Sequence, residues 1–195
     1  MREFVGEYRI PHSILDVTEP STHGPFAMPD YYYELRRQQT AALTAALHVF
    51  EALAGEFLEL SGRRYGSVEA YRLDEALRAI VALGSTAGTV KDAVDELRDE
   101  GCRVGLARIT SFRPFPADEL EAALRGVEHV TVLDRADSPG GVPPLAAEVA
   151  ATLYGSGVEL DRHVYGLGGR DLHPQDVRTI VAGRTPAYVG VRGEP

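Results

Sequence analysis

Four short segments carry residues whose types and spacing could do chemistry. Gly84-Ser85-Thr86-Ala87-Gly88-Thr89 follows an apolar run and opens a helical stretch, so its backbone N–H groups, with the Ser85 and Thr86 hydroxyls, could cradle a phosphate or carboxylate. It lacks the Gly-Lys-Ser/Thr ending of a P-loop and the G-x-G-x-x-G of a dinucleotide fold, and the same residues equally suit a helix cap after a tight turn. Asp134-Arg135 sets an acid beside a base ahead of a flexible Ser138-Pro139-Gly140-Gly141 loop, which reads as a local ion pair or as half of a catalytic set. No third group at a defined spacing completes such a set. Gly166-Leu167-Gly168-Gly169-Arg170-Asp171 precedes His173-Pro174; Arg170 could receive a carboxylate from a partner, while Asp171 or His173 could cap the next helix. Ser111-Phe112-Arg113-Pro114-Phe115-Pro116 is a stiff turn that either presents Phe115 and Arg113 to a neighbour or packs over the end of a sheet.

Other candidate groups are isolated. His12, His23, His48, His129, His163 and His173 show no H-x-x-x-H and no carboxylate at ligand spacing, so no metal site is expected. The single cysteine, Cys102, excludes an internal disulfide and any cysteine-ligated iron–sulfur cluster held by this chain alone. With no base at hand, Cys102 is expected to be a small buried residue.

The elements that must position these segments follow from periodicity. Residues 1–30 are rich in Pro, including Pro11, Pro20, Pro25 and Pro29, yet apolar through Phe4, Tyr8, Ile14, Val17 and Phe26; they form an arm that packs either on its own domain or on a surface outside it. Tyr31 to Leu60 predicts one long helix with apolar residues at three-and-four spacing, ending at Gly62. Over 63–195, strand-type runs at Val68–Leu73, Arg78–Leu83, Val104–Thr110, His129–Asp134 and His163–Tyr165 go with helical segments at Thr86–Asp99, Ala117–Arg125, Leu145–Tyr154 and Pro174–Val181. This is an α/β pattern: a three-layer α/β/α domain around a five-stranded, mostly parallel sheet. The first strand is the exception, because four residues, Asp74 to Leu77, cannot make a parallel crossover; it should run antiparallel, at an edge.

These residues in this order resemble a known family. Pro-Asp-Tyr-Tyr and Arg-Arg-Gln-Gln in the long helix, Glu69-Ala70-Tyr71-Arg72, Ala82-Leu83-Gly84-Ser85, Phe112-Arg113-Pro114-Phe115-Pro116, Val132-Leu133-Asp134-Arg135 and Tyr165 to Asp171 resemble the alpha subunit of 2-oxoacid:ferredoxin oxidoreductases, most closely the pyruvate enzyme. The resemblance covers nearly the whole chain and implies a transketolase C-terminal-like domain. It also implies that Met1 stands about where a preceding domain, which binds the pyrimidine half of thiamine diphosphate, should end. The Gly-Asp-Gly signature for a metal-held diphosphate and the ferredoxin-type cysteine runs are absent, so no catalytic residue carries over.

The leading expectation is therefore a non-catalytic structural and assembly domain of a thiamine-dependent complex that oxidises a 2-oxoacid, reduces ferredoxin and forms an acyl-coenzyme A. The resemblance implies thiamine diphosphate, Mg and iron–sulfur clusters in that complex, none bound by this chain alone. Implied partners are the thiamine-binding beta subunit, the gamma subunit, the ferredoxin-like delta subunit and a separate N-terminal alpha domain; a homodimer is left open. The rival is a stand-alone small-anion or nucleotide-binding module built on the two glycine loops. A formal charge of −9 disfavours nucleic acid. The longest apolar runs, such as Ala79 to Leu83, fall far short of the roughly 20 residues of a membrane span, so the expected location is cytoplasmic.

Overall fold

The computed structural model describes every residue except Met1, His12, Pro25, Arg184, Pro186, Glu194 and Pro195, so the expectations that touch Met1, His12 and Pro25 lie outside the described residues. The chain divides into two units, Met1–Tyr65 and Gly66–Pro195.

The first unit holds a short helix α1 (Arg2–Val5), an irregular arm and the helix α2 (Pro29–Ser61). Pro29 starts α2 where its missing N–H costs nothing, and Gly62, at φ 70°, ends it by donating its N–H to the Leu58 carbonyl at 2.8 Å. Phe57 makes tilted ring contacts with Phe4 and Tyr65, at centroid distances of 5.9 and 5.7 Å. Tyr8, Ile14, Leu15, Val17 and Phe26 of the arm are exposed, and no residue of α2 is buried. By length and composition alone α2 could cross a membrane, which corrects the expectation that no stretch reaches that size. Alanines between the leucines, with Val49, Phe50 and Phe57, raise the mean over the helix although no single apolar run is long.

The second unit is built on a sheet of β1 (Val68–Tyr71), β2 (Arg78–Leu83), β3 (Val104–Ile109), β4 (His129–Asp134) and β5 (Glu159–Val164), in the order β1-β3-β2-β4-β5. All neighbours are parallel except β1, which pairs antiparallel with β3 at one edge, Val68 opposite Ile109. Alternating residues of β2 feed two cores. Ile80 and Ala82 pack with Val90 and Val94 of α3 (Thr86–Asp99) and with Val177 and Ile180 of α6 (Pro174–Val181). Ala79 and Val81 pack on the other face with Leu120 of α4 (Ala117–Ala123) and with Leu145 and Val149 of α5 (Pro144–Thr152). This is the expected three-layer α/β/α arrangement.

Two differences have simple causes. β5 begins at Glu159, four residues before the expected His163, because Glu159 to Arg162 are exposed and mostly charged, with Leu160 the single apolar residue among them. Its outer edge is covered only at the end, where the Val164 N–H donates to the Ala187 carbonyl and the Val189 N–H to the Val164 carbonyl, at 2.7 and 2.8 Å. Cys102 is exposed, not buried: it lies in the turn between α3 and β3, with its N–H given to the Leu97 carbonyl at 2.9 Å.

Candidate functional site

The connection after β2 returns through α3 to β3 on one side of it, and the connection after β3 passes through α4 to β4 on the other. The carboxyl ends of β2 and β4 therefore flank the point where strand order reverses, the usual ligand crevice of an open α/β sheet. A cavity of about 380 Å³ lies there, lined by Leu83, Ser85, Thr86, Phe112, Arg135 and Tyr165 among others. A second cavity of about 300 Å³ lies at the end of β5, lined by Tyr165, Gly166, Arg170, Tyr188 and Arg192 among others. Tyr165 lines both.

Tyr165 is 5% exposed, and its hydroxyl shares a 2.5 Å hydrogen bond with the Thr86 hydroxyl. Burial pushes the phenol above its ordinary range; the Thr86 hydrogen bond and the charge of Arg135 pull the other way, and Asp134 adds to the rise. The cap reading of Gly84 to Thr89 is thereby corrected, since no side chain caps α3 and the Thr86 hydroxyl is turned to the sheet.

Asp134 is 3% exposed and makes no ion pair with Arg135. Pro143 and Pro144 open α5 without N–H groups, so the first amides available are those of Leu145 and Ala146, and both donate to Asp134 Oδ2 at 2.7 and 3.1 Å. Arg135 instead lies beside Gly166: a Cβ at Gly166 would come 3.2 Å from Arg135 Nε, and the residue sits at φ 68°. Glycine at this position thus serves both the turn and the approach of the guanidinium.

The other candidates separate from this centre. Arg113 stacks over the Phe112 ring and ion-pairs with Glu148 at 2.6 Å, and Phe115 is half-buried against the core under α4 and α5, so that turn packs locally. Arg170 donates to the Gly190 carbonyl. Asp171 is exposed and lines neither cavity; His173 is the residue that caps α6, its N–H held by Asp176 at 2.9 Å. Reading by sequence passed over Tyr165, Tyr188 and Arg192; a tyrosine directly after a strand and before a glycine turn was the available signal for the first. Among the described residues, no group of three His, Cys, Asp or Glu side chains could hold a metal ion.

Residues 76–177 match the family described as pyruvate:ferredoxin oxidoreductase core domain II. The chain is 46% identical over 180 residues to the pyruvate synthase subunit PorA of Thermotoga maritima, covering 91% of this chain and 46% of that subunit. It is 41% identical over 184 residues to PorA of Methanocaldococcus jannaschii, covering 93% and 47%. It is 37% identical over 186 residues to the ketoisovalerate oxidoreductase subunit VorA of Pyrococcus horikoshii, covering 92% and 47%. The chain spans about half the length of the curated relatives it matches. Among solved structures, it is similar in fold to a chain of the 2-oxoglutarate:ferredoxin oxidoreductase from Magnetococcus marinus, with a TM-score of 0.56 at 16% identity, covering 94% of this chain and 29% of that one.

Proposed function

The chain belongs to the pyruvate:ferredoxin oxidoreductase core domain II family, and on that premise we propose that it is a non-catalytic structural and assembly domain of a thiamine-dependent 2-oxoacid:ferredoxin oxidoreductase, with pyruvate the favoured substrate. The complex would convert a 2-oxoacid and coenzyme A to acyl-coenzyme A and CO2, passing electrons to ferredoxin in the cytoplasm. The observation that supports the non-catalytic reading is Asp134: the buried carboxylate at the switch point accepts the Leu145 and Ala146 amides on Oδ2, an arrangement that fixes the start of α5.

The residues do not fit the cofactors of such a complex. A metal-held diphosphate needs converging carboxylate or carbonyl ligands, and an iron–sulfur cluster needs about four thiolates; the described residues offer no ligand group and the chain has one cysteine. Thiamine diphosphate, Mg and the clusters are therefore assigned to partners: beta, gamma and delta subunits and an N-terminal alpha domain. The exposed aromatics Tyr31, Tyr32 and Tyr33 and the apolar arm supply surface for such partners, since tyrosine is enriched at protein interfaces.

The test is to recover the chain from its native cell extract and identify what comes with it by mass spectrometry. Thiamine-binding and iron–sulfur subunits are the expected companions; a lone chain would sink the assembly role. Pyruvate-dependent ferredoxin reduction by the purified chain alone would overturn the non-catalytic assignment.

A further inference from the structure

We infer that the carboxyl rim of the sheet holds a binding site for a small organic phosphate of mononucleotide size, its apolar part in the switch-point cavity and its phosphoryl groups among Arg135, Arg170 and Arg192. Three observations carry this. First, two cavities, about 380 and 300 Å³, lie on either side of Tyr165, and each is of the size that small-molecule sites have. Second, their linings differ in kind. The switch-point cavity is walled by Leu83, Phe112, Leu133 and Leu145, a surface for a planar or apolar group, whereas the cavity at β5 is edged by Arg170 and Arg192. Arg135 lines the first cavity and lies against Gly166, which lines the second, so its guanidinium marks the boundary between them.

Third, three guanidinium groups line this rim. Among the described residues no carboxylate lies within ion-pair distance of Arg135, Arg170 or Arg192. On the same rim, Asp134 accepts the Leu145 and Ala146 amides, and Asp137 accepts the Ser138 amide and the Tyr188 hydroxyl. Three arginines thus converge on one rim of a chain whose net charge is −9. A planar guanidinium fork matches the oxygens of a phosphoryl group better than it matches a single carbonyl.

Such a site needs none of the chemistry assigned to the partner subunits, so it stands or falls apart from the assembly role. It would let a soluble phosphate ester report on this domain while the catalytic groups lie elsewhere.

The probe is ADP without added metal, titrated calorimetrically into the full chain at low salt, with adenosine and ribose 5-phosphate as comparisons. ADP is expected to bind with one-to-one stoichiometry, at least tenfold more tightly than either comparison, and to weaken as salt rises. Arg135→Ala and Arg170→Ala should each weaken ADP by about tenfold, the loss of one charged hydrogen-bonding group. Arg103→Ala, a charge change at the opposite end of β3, should leave it unaltered. Circular dichroism of each variant confirms folding, and Arg135→Lys should recover part of the affinity. The proposal is overturned by no ADP binding, by adenosine binding as tightly as ADP, by ribose 5-phosphate binding as tightly as ADP, or by an equal loss in Arg103→Ala.

Discussion

The hydroxyls of Thr86 and Tyr165, 79 residues apart in sequence, meet at 2.5 Å beneath the carboxyl rim of the sheet. The first belongs to the start of α3, the second to the turn after β5, and between them lie the ends of β2 and β4. Tyr165→Phe removes one partner and leaves the buried Thr86 hydroxyl unsatisfied, a change expected to cost about 1–3 kcal/mol. Thr86→Val with Tyr165→Phe should restore part of that loss, because both polar groups are then gone. Chemical denaturation of the two single variants and the double checks this; additive losses would show that the pair is not coupled.

Asp134→Ala should be more harmful than its size suggests. It strips the acceptor from the Leu145 and Ala146 amides, the first two N–H groups α5 can offer, and leaves both donors facing the core. A loss of about 2–3 kcal/mol follows from two buried bonds to a charged acceptor. Asn at 134 keeps one carbonyl oxygen and should recover part of it. Hydrogen exchange at Leu145 and Ala146 would report the change directly.

Gly105→Ala tests the close approach of β3 to the chain just after β1, at Arg72. A methyl there would come 2.5 Å from the Arg72 carbonyl oxygen and 2.8 Å from its carbon, both backbone atoms that cannot swing aside. The backbone at Arg72 must shift, at a cost of roughly 1–3 kcal/mol. A wild-type melting temperature in this variant would show that the edge strand gives way freely.

Acid should weaken the same edge by another route. Hydrogen bonding from Lys91 holds the Glu69 carboxyl below its ordinary range; partial burial opposes this, and Arg108, bonded at 3.1 Å, adds to the lowering. A carboxylate whose folded pKa is depressed contributes stability that is present above its unfolded pKa and fades as pH falls through the folded one. Glu69 is 39% exposed at its side chain, so solvent limits the contribution to about 0.5 kcal/mol. Glu69→Gln should therefore melt below wild type at neutral pH, and the gap should close below about pH 4. A gap that stays constant with pH would mean that the carboxylate charge plays no part.

The parallel core of this fold was legible because β2, β3 and β4 are buried on both faces and so read as unbroken apolar runs, Ala79 to Leu83 being the plainest. The reversed direction of β1 was legible from the shortness of the Asp74 to Leu77 link. β5 was only half visible, since a strand with solvent on both faces at Glu159 to Arg162 loses the alternation that marks strands. The candidate site divides the same way. Ser85 and Arg135 follow directly on strands and Thr86 opens the helix after one, and chain order is enough to bring them to one rim. What Asp134 does depends on a donor 11 residues away behind two prolines, and what Thr86 does depends on a tyrosine after the last strand. Neither pairing leaves a local pattern.

The exposed half of β5 also governs how copies of this chain behave when crowded. Its unpaired backbone groups are a template on which another strand could register, yet Glu159 and Asp161 project from the same face. A second copy adding its own β5 there would bring two pairs of carboxylates together, while the 187–189 segment already occupies the far end. Concentrated solutions should therefore resist fibril growth from this strand, with electrostatic repulsion as the brake.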